Sequence, residues 1–282
     1  MSYQTIMVHL QLGSSNAQLE QSNAAVLQAA KQIAQRCNAA VIGIVVGQQT
    51  QMIYGKGYAL IDFFDREQDF LEEKIAAKEV MFRAAFNGHD QSVEWCSVVT
   101  MEPVLNFIVA QACRADLIIT GITPSDFYEG PSIAHAGEIV MQAGRPVLAV
   151  SVASNPFKLE NMLIGWKDTR EARRAIADAV PLLKLATKVT VFEIVTIDDK
   201  KDSVKRLNEV VAWLKSHDIK AVALAAVSND TDATQFIALA KKHQADIVIT
   251  GAYGHSRFRE WVLGGVTNEL LQGAHFCTLL SH

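Results

Sequence analysis

Short apolar runs alternate with longer amphipathic stretches along the whole chain. The run at 40–46 is continuously apolar rather than alternating with polar residues, which is typical of a parallel strand buried on both faces. The stretches between the runs have the periodicity of helices. Strand–helix alternation predicts right-handed βαβ crossovers and an open, doubly wound sheet, which is an α/β fold.

The same unit occurs twice in the chain. Residues 115–121, Ala-Asp-Leu-Ile-Ile-Thr-Gly, and residues 245–251, Ala-Asp-Ile-Val-Ile-Thr-Gly, are nearly identical. The predicted strands are 5–10, 40–46, 93–99, 115–121 and 146–151 in the first half and 161–166, 188–195, 220–227, 245–251 and 276–280 in the second. We therefore predict two tandem domains, 1–154 and 155–282, each built on a five-stranded parallel sheet.

A glycine segment follows the last internal strand of the second half. Gly251-Ala-Tyr-Gly254 comes directly after the apolar run, and Gly264-Gly265 opens the next helical pattern. Glycine lets a backbone approach a ligand closely, and a helix N-terminus offers unpaired N–H groups with partial positive charge. Because ligands of such sheets bind beyond the carboxyl ends of the strands, the segment predicts an anion site, most often for phosphate. The alternative is that the glycines only allow a tight turn and close helix–sheet packing.

Three side chains of the segment could assist a bound phosphate. His255 and Arg257 would supply charge-assisted contacts, although His255 could equally be a surface loop residue. Thr267 falls in the first turn of the predicted helix, where its hydroxyl could cap the helix, contact phosphate, or do both.

Composition narrows the classes of partner. The net charge of −4 argues against nucleic acid or an anionic membrane as the main partner. No apolar run approaches the roughly 20 residues needed to span a bilayer, and the N-terminus lacks the pattern of a signal peptide. These two absences predict a cytoplasmic protein. The four cysteines form no C-x-x-C pair, so we expect reduced structural thiols, with a regulatory disulfide as the alternative.

The glycine segment also carries a family resemblance. Residues 251–271 resemble the signature of the universal stress protein family, Gly-x2-Gly-x9-Gly-Ser/Thr, which often continues Val-Thr. The resemblance implies two Rossmann-like domains, a stress-related role in the cytoplasm, and pairing of domains within the chain or by self-association. Some members of the family bind ATP in this loop. The resemblance therefore implies that ATP or AMP contacts Gly251, Gly254, Gly264, Gly265, Val266 and Thr267, and that the nucleotide base lies near Ile194.

The chain departs from the family pattern at several positions. Gly265 stands where the family has Ser or Thr, and Lys167 stands where nucleotide-binding members usually have Asp. In the first half, Gln11 occupies that Asp position. The loop after Gly121 there contains Pro124 and two acids and lacks the paired glycines. We therefore predict that the first domain has a degenerate loop and that only the second can hold nucleotide.

Three functions remain open from the sequence. The first is a regulatory or sensor protein whose second half binds an adenine nucleotide. The second is a nucleotide-free protein that acts through its surfaces or binds another small molecule. The third is a weak ATP hydrolase. The chain has none of the metalloprotease, nucleophile-elbow or Walker motifs, so we predict no catalytic residue, no metal and no dedicated enzyme.

Overall fold

The computed structural model describes residues 2–13, 17–50, 59–122, 133–154, 156–227, 232–252, 265–273 and 275–282. The first half contains β1 (Thr5–His9), α1 (Ala17–Cys37), β2 (Ala40–Gln48), α2 (Ala59–Ala85), β3 (Val93–Thr100), α3 (Val104–Gln111), β4 (Leu117–Gly121), α4 (Ala136–Ala143) and β5 (Val147–Val150). The second half contains β6 (Asn161–Gly165), α5 (Arg170–Leu183), β7 (Lys188–Val195), α6 (Lys200–Ser216), β8 (Ala221–Val227), α7 (Asp232–Lys242), β9 (Ile247–Gly251), α8 (Gly265–Gly273) and β10 (Cys277–Ser281).

The strands form one sheet of ten, in the order β3-β2-β1-β4-β5-β10-β9-β6-β7-β8. Strands are parallel within each half, and the two halves join where β5 and β10 pair antiparallel, with Leu148 opposite Leu279. The predicted α/β, doubly wound fold is confirmed, and its two five-stranded units share a single sheet. Because the junction is antiparallel, the carboxyl ends of the two sets of strands lie at opposite edges of this sheet. We call them the first and second carboxyl edges.

Helices cover both faces of the sheet, which is why its inner strands are mostly apolar. In β1, Val8 packs on the face covered by α1 and α2, whereas Met7 packs on the opposite face with Ile108 of α3 and Ile139 of α4. The second half repeats this arrangement, with α5 and α6 on one face and α7 and α8 on the other. The inner strands therefore present both of their faces to helix layers, whereas the outer strands β3 and β8 remain partly exposed.

Contacts on both faces bind the two halves together. The Tyr3 hydroxyl donates to the Asp178 carbonyl of α5 at 2.7 Å, and the Gln32 side chain of α1 donates to the Phe157 carbonyl at 3.2 Å. On the other face α4 packs against α8. The predicted boundary near 155 falls between β5 and β6, but Phe157 and Leu159 there are buried in the core. The segment leading into β6 is therefore packed, while the division into separate domains stays a prediction.

The duplicated Ala-Asp segment has the same structural role in both halves. Asp116 accepts hydrogen bonds from the backbone N–H groups of Gln4 and Thr5, at 2.7 and 3.1 Å. Asp246 does the same in the second half, for Glu160 and Asn161 at 3.0 and 2.8 Å. Each aspartate thus pairs the backbone that leads into the neighbouring strand, β1 or β6. This explains why the chain repeats the residue.

Replacing Asp246 is expected to weaken the fold. Asp246→Ala removes two hydrogen bonds to a charged acceptor and should lower the free energy of unfolding by about 2 kcal/mol. Urea denaturation followed by circular dichroism measures this change. Asp69→Ala, on an exposed position of α2, is the control and should stay within about 0.5 kcal/mol of wild type. Equal effects of the two substitutions would contradict the assigned role.

Candidate functional site

The second carboxyl edge carries those predicted site residues that the structure describes. Gly251 ends β9, Ile194 lies near the end of β7, and β6 runs between these two strands. The strand order reverses between β6 and β9, which is where ligands of doubly wound sheets bind. Gly254, His255, Arg257 and Gly264 lie outside the described residues, and their predicted contacts stay predictions.

Gly251 has a packing role that does not depend on a ligand. A Cβ atom at this position would lie 2.6 Å from the carbonyl carbon of Glu171 and 2.7 Å from the nitrogen of Ala172. Only a glycine lets the first turn of α5 approach β9 this closely. Gly121, the corresponding residue of the first half, faces the Ser22 side chain of α1. The packing alternative therefore accounts for Gly251, and its contact with phosphate stays a prediction.

The first turn of α8 is anchored in the protein core. Thr267 is buried, and Val266 is half-buried against the cluster that contains Phe236 of α7. The strand end before this region is fixed as well, because the Ala252 N–H donates to the Ser281 carbonyl at 2.7 Å. The start of α8 is thus held against a core cluster of the second half.

Ile194 is half-buried at the end of β7, where it packs against the apolar cluster that contains Phe192 and Phe236. Those two rings meet edge to face, with centroids 4.7 Å apart. Ile194 therefore lies on the side of the sheet that α7 and α8 cover. The structure places it at the same edge as Gly251, one strand beyond β6.

The loop after β6 and the start of α5 bring charge to this edge. Thr169 caps α5, because its hydroxyl accepts from the Ala172 N–H at 3.3 Å. Asp168 pairs with Arg173, and the buried Glu171 pairs with Arg170 at 3.1 Å. Both acids beside Gly251 are thus matched by arginines of the same helix turn.

The Glu171 carboxylate remains charged although it is buried. Burial raises its pKa, but hydrogen bonds from its own backbone N–H and from Arg170, with the positive charge of Arg170, outweigh this and lower the pKa overall. A negative group therefore sits at the N-terminus of α5, directly against Gly251. It reduces the attraction of this turn for a second anion.

A polar cluster that the sequence did not predict lies on the opposite face of the same edge. Glu193 of β7 is buried, and both of its oxygens accept from Arg206 of α6 at 3.1 Å. Trp166 follows β6 and donates its backbone N–H to the Phe192 carbonyl at 2.7 Å, which places it beside Glu193. The available signal was a glutamate within the otherwise apolar run 188–195, because a buried carboxylate needs a cation.

The first carboxyl edge is built differently. The Nδ1 atom of His9 lies 2.9 Å from the hydroxyl of Thr120, and both residues are buried. Burial lowers the pKa of His9 to about 4, so the imidazole is neutral near pH 7. The backbone of Gln11 is paired at both its N–H and its carbonyl with the Asn23 side chain, each at 3.0 Å. The loop with Pro124 lies outside the described residues, so the predicted degeneracy of this half stays a prediction.

In the parts of the chain that the structure describes, no group of three or more His, Cys, Asp or Glu residues could hold a metal ion. None of the helices in those ranges is long and apolar enough to cross a membrane. All four cysteines are free thiols, and burial raises the pKa of Cys277 to about 11.

Comparison with known proteins identifies the fold. No protein-family model matches the chain, and no curated protein matches it in sequence. Among solved structures, a universal stress protein from Archaeoglobus fulgidus DSM 4304 matches with a TM-score of 0.73 and 14% identity, over 98% of this chain and 97% of that one. A protein from Pseudomonas aeruginosa UCBPP-PA14, provisionally assigned as a universal stress protein, matches with a TM-score of 0.60 and 14% identity, over 99% and 93% of the two chains.

A third similar structure is a protein of unknown function from Pseudomonas aeruginosa PAO1, with a TM-score of 0.60 and 14% identity, over 99% of this chain and 92% of that one. At these identities the likeness establishes the fold. The resemblance carried by residues 251–271 is confirmed at that level: along its whole length the chain has the fold of universal stress proteins.

Proposed function

We propose that this protein acts as a regulatory or sensor protein of the universal stress type, and that its second half binds ATP or AMP. One observation carries the proposal: β9 ends at Gly251 on the second carboxyl edge, where β7 also ends beside Ile194. The sequence between β9 and α8 contains Gly254 and Gly264. Backbone N–H groups of that connection would donate to the phosphates, and Ile194 would lie near the base. His255 and Arg257 would add charge.

The packing of α8 supports a regulatory role for the ligand. This helix begins at the end of the glycine segment and packs against α4 of the first half as well as α7 of its own. A ligand held at the start of α8 would therefore bias the junction between the halves if it binds one arrangement more tightly than the other. The four free thiols fit the reducing conditions of the cytoplasm, where we place the protein.

A nucleotide-free protein that acts through its surfaces is the second candidate. It is favoured by Glu171, whose buried carboxylate occupies the start of α5 against Gly251. Packing alone accounts for the glycine at 251, and Lys167 replaces the usual Asp. In this case ligand binding would not distinguish the second half from the first.

Calorimetric titration of the full chain with ATP and with AMP separates the two functions. Nucleotide binding predicts heat of binding at concentrations up to the millimolar range. Gly254→Glu should weaken binding at least tenfold, because it places a carboxylate and a side chain where phosphate is expected. Asn87→Glu adds the same charge on the exposed surface of the first half and should leave binding unchanged. The absence of heat with wild-type protein would favour the nucleotide-free function.

A further inference from the structure

The duplicated fold allows the two halves to be compared position by position. The pairing of β1 with β4 and of β6 with β9 makes Leu10 correspond to Trp166. The pairing of β1 with β2 and of β6 with β7 makes Val45 correspond to Glu193. Leu10 and Val45 belong to the apolar core of the first half. At the second carboxyl edge the same two positions carry groups that form hydrogen bonds.

The helix that covers these positions differs in the same way. The buried residues Ile75 and Phe82 of α2, with Phe86 directly after the helix, have the spacing of the buried residues Ser203, Val210 and Leu214 in α6. Ser203 therefore replaces Ile75 as a residue that faces the sheet, and it is fully buried. The second half thus replaces three apolar core positions by Trp166, Glu193 and Ser203. Trp166 lies beside Glu193 because its N–H donates to the Phe192 carbonyl, and Ser203 lies one turn of α6 before Arg206, which binds Glu193.

This polar cluster has donors without acceptors. Trp166 Nε1, Ser203 Oγ and Arg206 Nε are each buried and have no hydrogen-bond partner among the described residues. Glu193 does not satisfy them, since its two oxygens accept from the terminal nitrogen of Arg206 at 3.1 Å. A buried donor that lacks an acceptor costs free energy, so each of these three groups calls for an acceptor.

The charges of the cluster define what that group can be. Arg206 and Glu193 neutralise each other, so a second anion would bring an unpaired charge into a buried site. The groups without a partner are an indole N–H, a guanidinium N–H and a hydroxyl, and all three can donate to an oxygen atom. A neutral hydroxyl group meets both conditions, because it accepts from the two N–H groups and exchanges a hydrogen bond with Ser203.

We propose that Trp166, Ser203 and Arg206 form a site at the second carboxyl edge for a neutral hydroxyl group, with Glu193 holding Arg206 in place. Two sources share this chemistry: a bound water molecule, or a sugar hydroxyl of a nucleotide. Only the second source rests on the proposed function. The first half has no such site at the corresponding positions, because Leu10, Val45 and Ile75 fill them with apolar side chains.

The test observes the indole N–H of Trp166 by NMR in the ¹⁵N-labelled full chain. Without nucleotide, we expect a cross-peak between this N–H and a long-lived water, lost in Ser203→Val. Trp166→Phe identifies the signal. Trp95 is the matched control, since its Nε1 is also buried without a partner among the described residues, but against Phe82 and Gly43. Its N–H should show no such cross-peak.

Saturating AMP then distinguishes the two sources. A sugar hydroxyl would replace the water cross-peak by one to ribose protons, and wild type would bind AMP at least tenfold more tightly than the deoxy analogue that lacks that hydroxyl. Ser203→Val would lose this preference. An unchanged water cross-peak assigns the site to water, also when AMP does not bind at all. The proposal is overturned if Trp166 shows neither cross-peak, with and without AMP.

Discussion

Lowering the pH from 7 to 4 is expected to remove about 3 kcal/mol of folding stability through His9 alone. His9 is 2% exposed, and its burial lowers its pKa from the ordinary 6.5 to about 4. The unfolded chain takes up a proton as the pH falls below 6.5, whereas the folded chain does not until about 4. The contribution of His9 to folding stability is therefore fully present above pH 6.5, and it is lost as the pH falls from 6.5 to about 4.

Urea denaturation at pH 7 and at pH 4, in wild type and in His9→Gln, measures this contribution. Glutamine keeps a polar group within reach of Thr120 but takes up no proton. The stability of wild type should fall by about 3 kcal/mol more than that of His9→Gln. His275→Gln, at an exposed position, should lose as much as wild type. Identical pH dependence of stability in wild type and His9→Gln would contradict this, because it would show that His9 takes up its proton as readily in the folded chain as in the unfolded chain.

Gly251→Ala is expected to destabilise the protein by about 3 kcal/mol, because overpacking here meets backbone rather than a mobile side chain. The added Cβ would lie 2.6 Å from Glu171 and 2.7 Å from Ala172, both in the first turn of α5. Relief requires α5 to move away from β9. That helix also carries the Asp178 carbonyl that accepts from Tyr3, so the strain would reach the junction between the halves.

Thermal and urea unfolding of Gly251→Ala measure this effect. Gly273→Ala is the matched control, since a Cβ there would meet only the His275 ring, at 3.2 Å. Alanine favours a helix over glycine by about 1 kcal/mol, so this control should lose no stability. A loss below about 0.5 kcal/mol in Gly251→Ala would contradict the packing role of Gly251.

Much of the fold could be predicted because its strands are buried on both faces. The run at 188–195 was predicted as a strand and forms β7 over those residues. The run predicted as a strand at 146–151 forms the shorter strand β5, Val147–Val150, because pairing with neighbouring strands and not hydrophobicity alone sets where a strand ends. The apolar pattern therefore locates a strand well and its ends less accurately.

The junction of the two sheets was beyond the sequence pattern. β5 is the last strand of the first five-stranded unit, and its apolar run is as continuous as that of a central strand. Its sequence therefore does not indicate that it pairs with a strand of the other half. The cluster of Trp166, Glu193 and Arg206 was missed for a related reason. It depends on the pairing of β6 with β7 and on the orientation of α6, which are tertiary facts. The glycine segment could be predicted because a strand end, spaced glycines and a helix start follow one another directly in the sequence.

Native mass spectrometry of the full chain with AMP tests the central claim most directly, because it counts bound nucleotides. If the second carboxyl edge alone holds the ligand, wild type should carry one nucleotide per chain and Gly254→Glu should carry none. Two nucleotides per chain would show that a second site also binds, and one nucleotide that persists in Gly254→Glu would show that the site lies elsewhere. The absence of any adduct at millimolar AMP would contradict nucleotide binding altogether.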